Sequence, residues 1–496
     1  MRRGRFLTIA CVPLLVGSAT AGALAVRPTA PALPVSVPLG PGLPGDAQIV
    51  VDPAHHTALA INTAVGAATL DGVTSGTGSQ ASWISLPPQG ARTPASIINT
   101  DTGALIRQID VGAMSHVLVA FRQGGSAVSV DAAAGRLSLI DLIHVGVAMA
   151  PYPATSFNPV VFGAAIDGRT DHLLATTMVD TRSPHVLQEQ AVALFDARTG
   201  ALLRLVRLPG VEPVWVTTFV GNPGASMVPV AVSAAPRPWS LLIDDVRARA
   251  FILSTNRTIM ILDRRDGHVL RTRRLPLVLH QAVLDSSSGH LFALADAADA
   301  NSATSHLLRG NLAMIDERTG SILRTVRAGF QPQAIAIDTI VGHVFVADYR
   351  TGTVSVFRDA DGTLLRRIGV PGAVDVAVDG RHAHLYVSAF SGRRQRILVL
   401  DSRTGLLLHT VVVNANLSGM VPDSGTGHLL LLASSPGPIA TRVVDRWGWV
   451  PGWLRSRVGW LPPAPPVPSG MPAPSGPPAQ TNEVITLDPL HTAAVP

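Results

Sequence analysis

Histidine is the first place to look for chemistry in this chain. There are sixteen, and four recur at one spacing: His290, His343, His384 and His428 each stand five residues after an Asp (Asp285, Asp338, Asp379, Asp423). Imidazole and carboxylate in a fixed pattern suit zinc, which takes about four converging ligands. The same offset separates Asp167 from His172, but also Asp52 from Thr57 and Asp244 from Arg249. Thr and Arg do not replace a metal ligand, so the spacing marks a structural position. Equivalent residues on successive units also stand too far apart to share an ion, since adjacent strands alone are about 4.8 Å apart. His382 and His384 are closer but supply only two ligands. Asp359-Ala360-Asp361-Gly362 has the opening of a calcium loop without its later ligands or its bidentate Glu.

Other chemistry fares no better. The chain has no G-x-S-x-G elbow, H-E-x-x-H pair or phosphate loop. All 39 basic residues are Arg, so no lysine Schiff base can form, and the sole Cys, Cys11, lies in the extreme N-terminal segment. Glycosidase chemistry needs two carboxylates flanking one bond, which single turn residues do not offer. No catalytic, cofactor-binding or metal-ligating residue is assigned. The formal charge of +6 falls to +3 without Arg2, Arg3 and Arg5, and aromatics are few, which argues against nucleic acid as a partner.

The recurring Asp belongs to a larger unit. A short apolar strand ends in Asp, four turn residues follow, and a second apolar strand opens, as in AIAID to Asp338 and then HVFVAD from His343. A second unit alternates with it: an apolar strand, a turn closing on Gly, and a strand carrying Arg, as in AMIDERTGSILRTVRA and LVLDSRTGLLLHTVVV. Gly there supplies positive φ, and the Asp can bond the turn backbone. Together the units make strands a, b, c and d of one propeller blade. The reading is all-β: a seven-bladed β-propeller of four-stranded antiparallel blades over 47–496, closed by a tail strand around Val484–Leu487. The piece from His116, which matches the segment from His343, is a decorating hairpin, or else the count is eight.

Residues 344–359, VFVADYRTGTVSVFRD, and 384–405, HLYVSAFSGRRQRILVLDSRTG, resemble the YVTN-type β-propeller repeat. The resemblance covers about 47–434 and is strongest over 280–413. It implies an exported propeller, related in fold to the non-catalytic large subunit of quinoprotein amine dehydrogenases and to lactonase-like propellers. A fold of this kind hosts many activities, so the resemblance implies no particular one.

The ends and insertions carry the remaining expectations. Met1-Arg2-Arg3-Gly4-Arg5 precedes an apolar run, and Ala23-Leu24-Ala25 is a small-x-small cleavage site, so 1–25 reads as a signal peptide or a membrane anchor. Residues 26–46 read as a Pro-rich spacer. The a–b and c–d turns keep a near-constant length, whereas the long segments 64–94, 297–310 and 435–482 fall between b and c, and 112–160 and 209–237 between d and the next a. Because successive strands reverse direction, those two loop types emerge on one face. The last-blade insertion 435–482 holds Trp447, Trp449, Trp453 and Trp460, four of seven Trp, interleaved with Arg455 and Arg457. That mixture suits a protein contact or a membrane surface. The expected function is a non-enzymatic extracytoplasmic binding or scaffold propeller. Its partner would be a protein, an envelope polymer or a small ligand held at the loop-rich face. The alternative is a lactonase-like or other hydrolase with its site in the central channel.

Overall fold

The computed structural model describes residues 33–41, 47–62, 69–70, 83–84, 94–111, 115–120, 125–131, 136–144, 146–151, 157–167, 169–180, 188–207, 214–220, 228–234, 238–254, 257–296, 310–391, 394–434, 481–492 and 494–495. Every regular element among them is a β-strand. Apolar runs of about six residues, rich in Val, Ile and Leu and cut by Asp- and Gly-containing turns, favour strands over helices.

The strands form eight antiparallel sheets of four strands, one of which gains a fifth. Blades 1 to 7 occupy 47–110, 115–151, 157–207, 238–274, 278–327, 332–369 and 373–413 in order. Blade 8 takes strands a and b from Asn416–Pro422 and Leu429–Ser434, c from Thr481–Leu487, and d from Val35–Pro41. The inner strand of each blade packs on those of the blades before and after it, and the inner strand of blade 8 packs on that of blade 1, so the ring is closed.

Three details depart from the sequence reading. The piece from His116 is a full blade, the second, so of the two blade counts the ring has eight. Its strand Ser115–Ala120 is the inner strand a, one strand earlier than the match to His343 suggests. The other inner strands end in Asp or, in blade 8, precede one, whereas Ser115–Ala120 carries no such marker, which hides that strand in the sequence. Part of the 26–46 spacer is structural: Val35–Pro41 pairs with Thr481–Leu487, Val37 opposite Val484, with a bulge between Pro38 and Gly40. Proline cannot donate to a ladder, which an outermost strand tolerates. Finally, 209–237 contains a separate hairpin, Val214–Val220 with Val228–Ala234.

Packing explains the strand patterns. Strands b and c lie between two neighbouring blades and are covered on both faces, so they are continuously apolar, as in Leu429–Ser434, where every residue is buried. Between blades 5 and 6, Phe292 and Leu294 meet Val344, Val346 and Phe357 in one cluster. Each such side chain contributes roughly 1.5–3 kcal/mol. The outermost strands face solvent and carry the arginines: in Val269–Arg274 five of six residues are exposed.

Candidate functional site

The polar residues that recur along the chain converge on the face formed by the a–b and c–d turns. There the Asp ending each strand a folds its own turn. Asp338 Oδ1 accepts the Ile340 N–H at 3.0 Å, and Asp379 Oδ1 accepts the Arg381 N–H at 3.1 Å. The turn needs a left-handed residue just before strand b. Gly342 has φ 74°, and Ala383 adopts φ 55° at the same place.

The same turns join the blades, which sequence reasoning missed. Ser402, the first residue after strand c of blade 7, donates Oγ–H to Asp338 Oδ2 of blade 6 at 2.7 Å. His343, opening strand b of blade 6, donates Nδ1–H to the Ser402 carbonyl at 3.1 Å. Arg366, on strand d of blade 6, donates to the Arg403 carbonyl at 2.6 Å. One c–d turn is thus held by three strands of the preceding blade. The motif repeats: His290 bonds the Asp359 carbonyl at 3.2 Å and Arg324 that of Asp361 at 3.0 Å, while His428 of blade 8 bonds Thr100 of blade 1 at 2.8 Å. A backbone carbonyl can only accept, so these histidines carry their proton on Nδ1. Their recurrence has a structural cause.

The pair flagged for metal binding is also occupied. His382 Nδ1 lies 2.6 Å from Asp379 Oδ2, and His384 Nδ1 lies 3.2 Å from the Tyr386 hydroxyl. Burial pulls His384 below the ordinary imidazole range. Among the described residues no three His, Cys, Asp or Glu side chains gather as a metal site would require. Asp359 and Asp361 lie in the c–d turn of blade 6, where Asp361 Oδ1 accepts the Thr363 N–H at 2.9 Å, as turn chemistry expects.

No protein-family model matches the chain, and no curated protein matches it by sequence. Solved structures do. Saccharomyces cerevisiae Sqt1 is 10% identical with a TM-score of 0.50, over 81% of this chain and 94% of that one. BamB of Moraxella catarrhalis is 16% identical with a TM-score of 0.44, over 81% of this chain and 95% of that one. The β-propeller domain of Myceliophteria thermophila Cps50 (Swd1) is 11% identical with a TM-score of 0.42, over 74% of this chain and 97% of that one. At 10% identity the likeness to Sqt1 speaks to fold alone, and it agrees with the closed ring of sheets. The chain is a β-propeller.

Within the propeller, two acid pairs sit between blades. Glu317, after strand c of blade 5, faces Asp244 of blade 4. Arg247 Nε is 2.9 Å from its Oε1 and Arg249 Nη1 is 3.6 Å away. Burial and then Asp244 raise its pKa from 4.5 to about 7, outweighing the two arginines. Asp359 of blade 6 faces Asp285 of blade 5 and is raised in the same way, by burial first and then by Asp285. Paired acids of unequal pKa are the currency of acid–base catalysis. Here, however, Asp244, Asp285 and Glu317 are all buried at the interfaces, out of a substrate's reach. Their role is in joining blades.

This arrangement sets a pH dependence. The folded protein keeps the Glu317 proton at pH values where the unfolded chain has lost it. Its contribution is therefore fully present below pH 4.5 and is lost as pH rises to about 7. At roughly 1.4 kcal/mol per pK unit, that is about 3 kcal/mol. Glu317→Gln, permanently uncharged, should flatten the urea-midpoint profile across this window and raise the midpoint at pH 8. An unaltered profile would show that Glu317 is ionised throughout.

The inner strands end around a depression of about 320 Å³ shared by blades 6, 7 and 8, with Ile337, Val378 and Pro422 as its walls and Arg381 and Ser424 at its rim. Arg381 Nη1 bonds the Ser424 carbonyl at 3.3 Å and so bridges blades 7 and 8. Farther along the inner strand of blade 7, Asp375 accepts the Val376 N–H at 2.8 Å, and burial raises its pKa. No ion-pair partner accompanies it among the described residues. The interaction residues expected from sequence, Trp447, Trp449, Trp453, Arg455, Arg457 and Trp460, lie outside the described residues. Their insertion connects strands b and c of blade 8, Leu429–Ser434 and Thr481–Leu487, and so leaves from the face opposite the interlocked turns.

Proposed function

We propose that this protein is an exported, non-enzymatic binding or scaffold propeller of the YVTN type, which engages its partner through the face bearing the b–c and d–a connections. One observation carries the reading: the a–b and c–d turns spend their polar groups on blade-to-blade bonds, such as Ser402 to Asp338 and His343 to Ser402. Those turns are held to one length and chemistry. The opposite connections vary widely in length, and loops on a rigid scaffold commonly carry binding. Between strands b and c they run from Asn62 to Pro94 in blade 1, from Asp296 to Asn311 in blade 5 and from Ser434 to Thr481 in blade 8. Export is supported by the basic start, the apolar run and the Ala23-Leu24-Ala25 site.

The Trp- and Arg-rich insertion is the contact element, and its partner is a protein, an envelope polymer or the membrane surface. Replacing Trp447, Trp449, Trp453 and Trp460 with Ser should leave the melting temperature unchanged. It should weaken binding to anionic vesicles, or to envelope components crosslinked to the intact protein, by more than about tenfold. A variant that unfolds would place the indoles in the core and sink the proposal; so would full binding by a folded variant.

A further inference from the structure

The outermost strands are where a propeller exposes unpaired backbone, and this chain guards them in a consistent way. Arg107, Arg204, Arg271, Arg324 and Arg366 lie on strand d of blades 1, 3, 4, 5 and 6. Charge on an edge strand discourages pairing with another chain. Strand d of blade 2, Gly146–Pro151, is uncharged and closes on Pro151, and that of blade 8, Val35–Pro41, contains Pro38. Blade 7 has neither device. Its strand d, Leu407–Val413, reads LLHTVVV, and Leu406, Leu407 and Leu408 at its start are 67%, 57% and 47% exposed.

What blade 7 has instead is a strand from the end of the chain. Ala494–Val495 lies parallel to strand d, Ala494 beside Val412 and Val495 beside Val413. Thr492 is buried, and its carbonyl accepts from His409 Nε2 at 3.0 Å. The covered position is informative. Val412 pairs with Arg396, five residues before the Asp that ends strand c, and the same register position holds Arg207, Arg274 and Arg327 in blades 3, 4 and 5. The C-terminal strand covers the place where three other blades carry an edge-guarding arginine.

We infer that strand d of blade 7 is a self-association edge for a second copy of this chain, masked by the C-terminal strand Ala494–Val495. The occupant follows from the edge itself. Two copies of one uncharged strand, laid antiparallel about a two-fold axis through Thr410, satisfy both edges at once. Leu407 and Leu408 of one copy then face Val413 and Val412 of the other. The tail lies beside Val412 and Val413, so it and the second copy exclude each other. With two paired residues, the tail is a short strap on the edge.

The test is mass in solution, by light scattering on the full chain and on a chain ending at Thr492, which keeps the His409 contact. The shortened chain should double its mass, and Val412→Arg added to it should restore the monomer. If the shortened chain misfolds, Ala494→Pro with Val495→Pro in the full chain lifts the strap by removing both N–H donors and should also produce the dimer. A folded protein that stays monomeric once the strap is gone would overturn the inference. So would a dimer that survives Val412→Arg, or uptake of a tail peptide by a shortened chain that remains monomeric.

Discussion

Substituting Val37→Asp together with Leu39→Asp should abolish stable closure of the ring, although both residues lie in a segment that reads as a linker. Val37 and Leu39 are buried, 3% and 4% exposed, and they pack with Ala47, Ile49, Ala58, Leu430 and Val484. That cluster spans blades 8 and 1, the seam where the two ends of the chain meet. Leu39→Ala alone should cost about 2–5 kcal/mol, and two buried carboxylates with no cation partner should exceed that. The seam is tight: a Cβ placed on Gly103 of blade 1, at φ +69°, would fall 2.8 Å from Val35 Cβ. Urea and thermal melts of the double variant should show a lowered or missing cooperative transition. Pro38→Lys, at an exposed position between the two, should leave it in place. An unchanged melt for the double variant would mean that the strand is dispensable.

This result would also bear on export. The proposed cleavage after Ala25 would leave the new N-terminus nine residues ahead of the strand that begins at Val35. A cut several residues later would approach a strand the ring needs. Under the proposed export, the start of a mature chain would therefore be constrained by the fold as well as by the proposed signal segment.

Much of this architecture is legible in the chain because short strands covered on both faces must be apolar and their turns must bend. Asp-x4-His and Asp-x-x-x-Gly punctuate the sequence for local reasons, and they located most strands. What stayed hidden depends on contacts between units. No marker Asp ends or follows Ser115–Ala120, so the second blade lost its first strand in the reading. Val35–Pro41 looks like linker because its prolines are common in linkers, while its partner, Thr481–Leu487, lies at the other end of the chain. The histidines invited a metal hypothesis, since nothing local says that His343 reaches Ser402. One signal was available: in blades 1, 4, 5, 6 and 7 the residue just after strand c is polar and varies, as Thr100, Arg264, Glu317, Asp359 and Ser402, while blades 2 and 3 have Leu142 and Ala197 there. A polar variable position inside a constant turn suggests a partner outside it.

Arg264 shows how much one such position can matter. It follows strand c of blade 4 and is 3% exposed. Its guanidinium bonds Asp167 Oδ1 of blade 3 and lies 3.0 Å from Asp245 Oδ1 of its own blade. Asp167 is fully buried, and its remaining bonds are to its own turn, from the Arg169 N–H at 2.9 Å and from the Thr170 hydroxyl. Arg264→Met keeps much of the packed stem and removes the charge, which leaves the Asp167 carboxylate buried without its cation. Breaking a buried pair from one side costs about 3–5 kcal/mol. Arg264→Lys should recover only part of this, because a single ammonium cannot reproduce the reach of the guanidinium to two carboxylates. Adding Asp167→Asn to Arg264→Met should restore most of the stability, since an amide can still accept the turn N–H and carries no charge to strand. Urea midpoints of the wild type, both single variants and the double variant give the coupling between the two sites. A coupling near zero would mean that the Asp167–Arg264 contact adds nothing to the joint between blades 3 and 4, and that apolar packing alone, through Leu174, Leu194, Ile252 and Met260, holds it together.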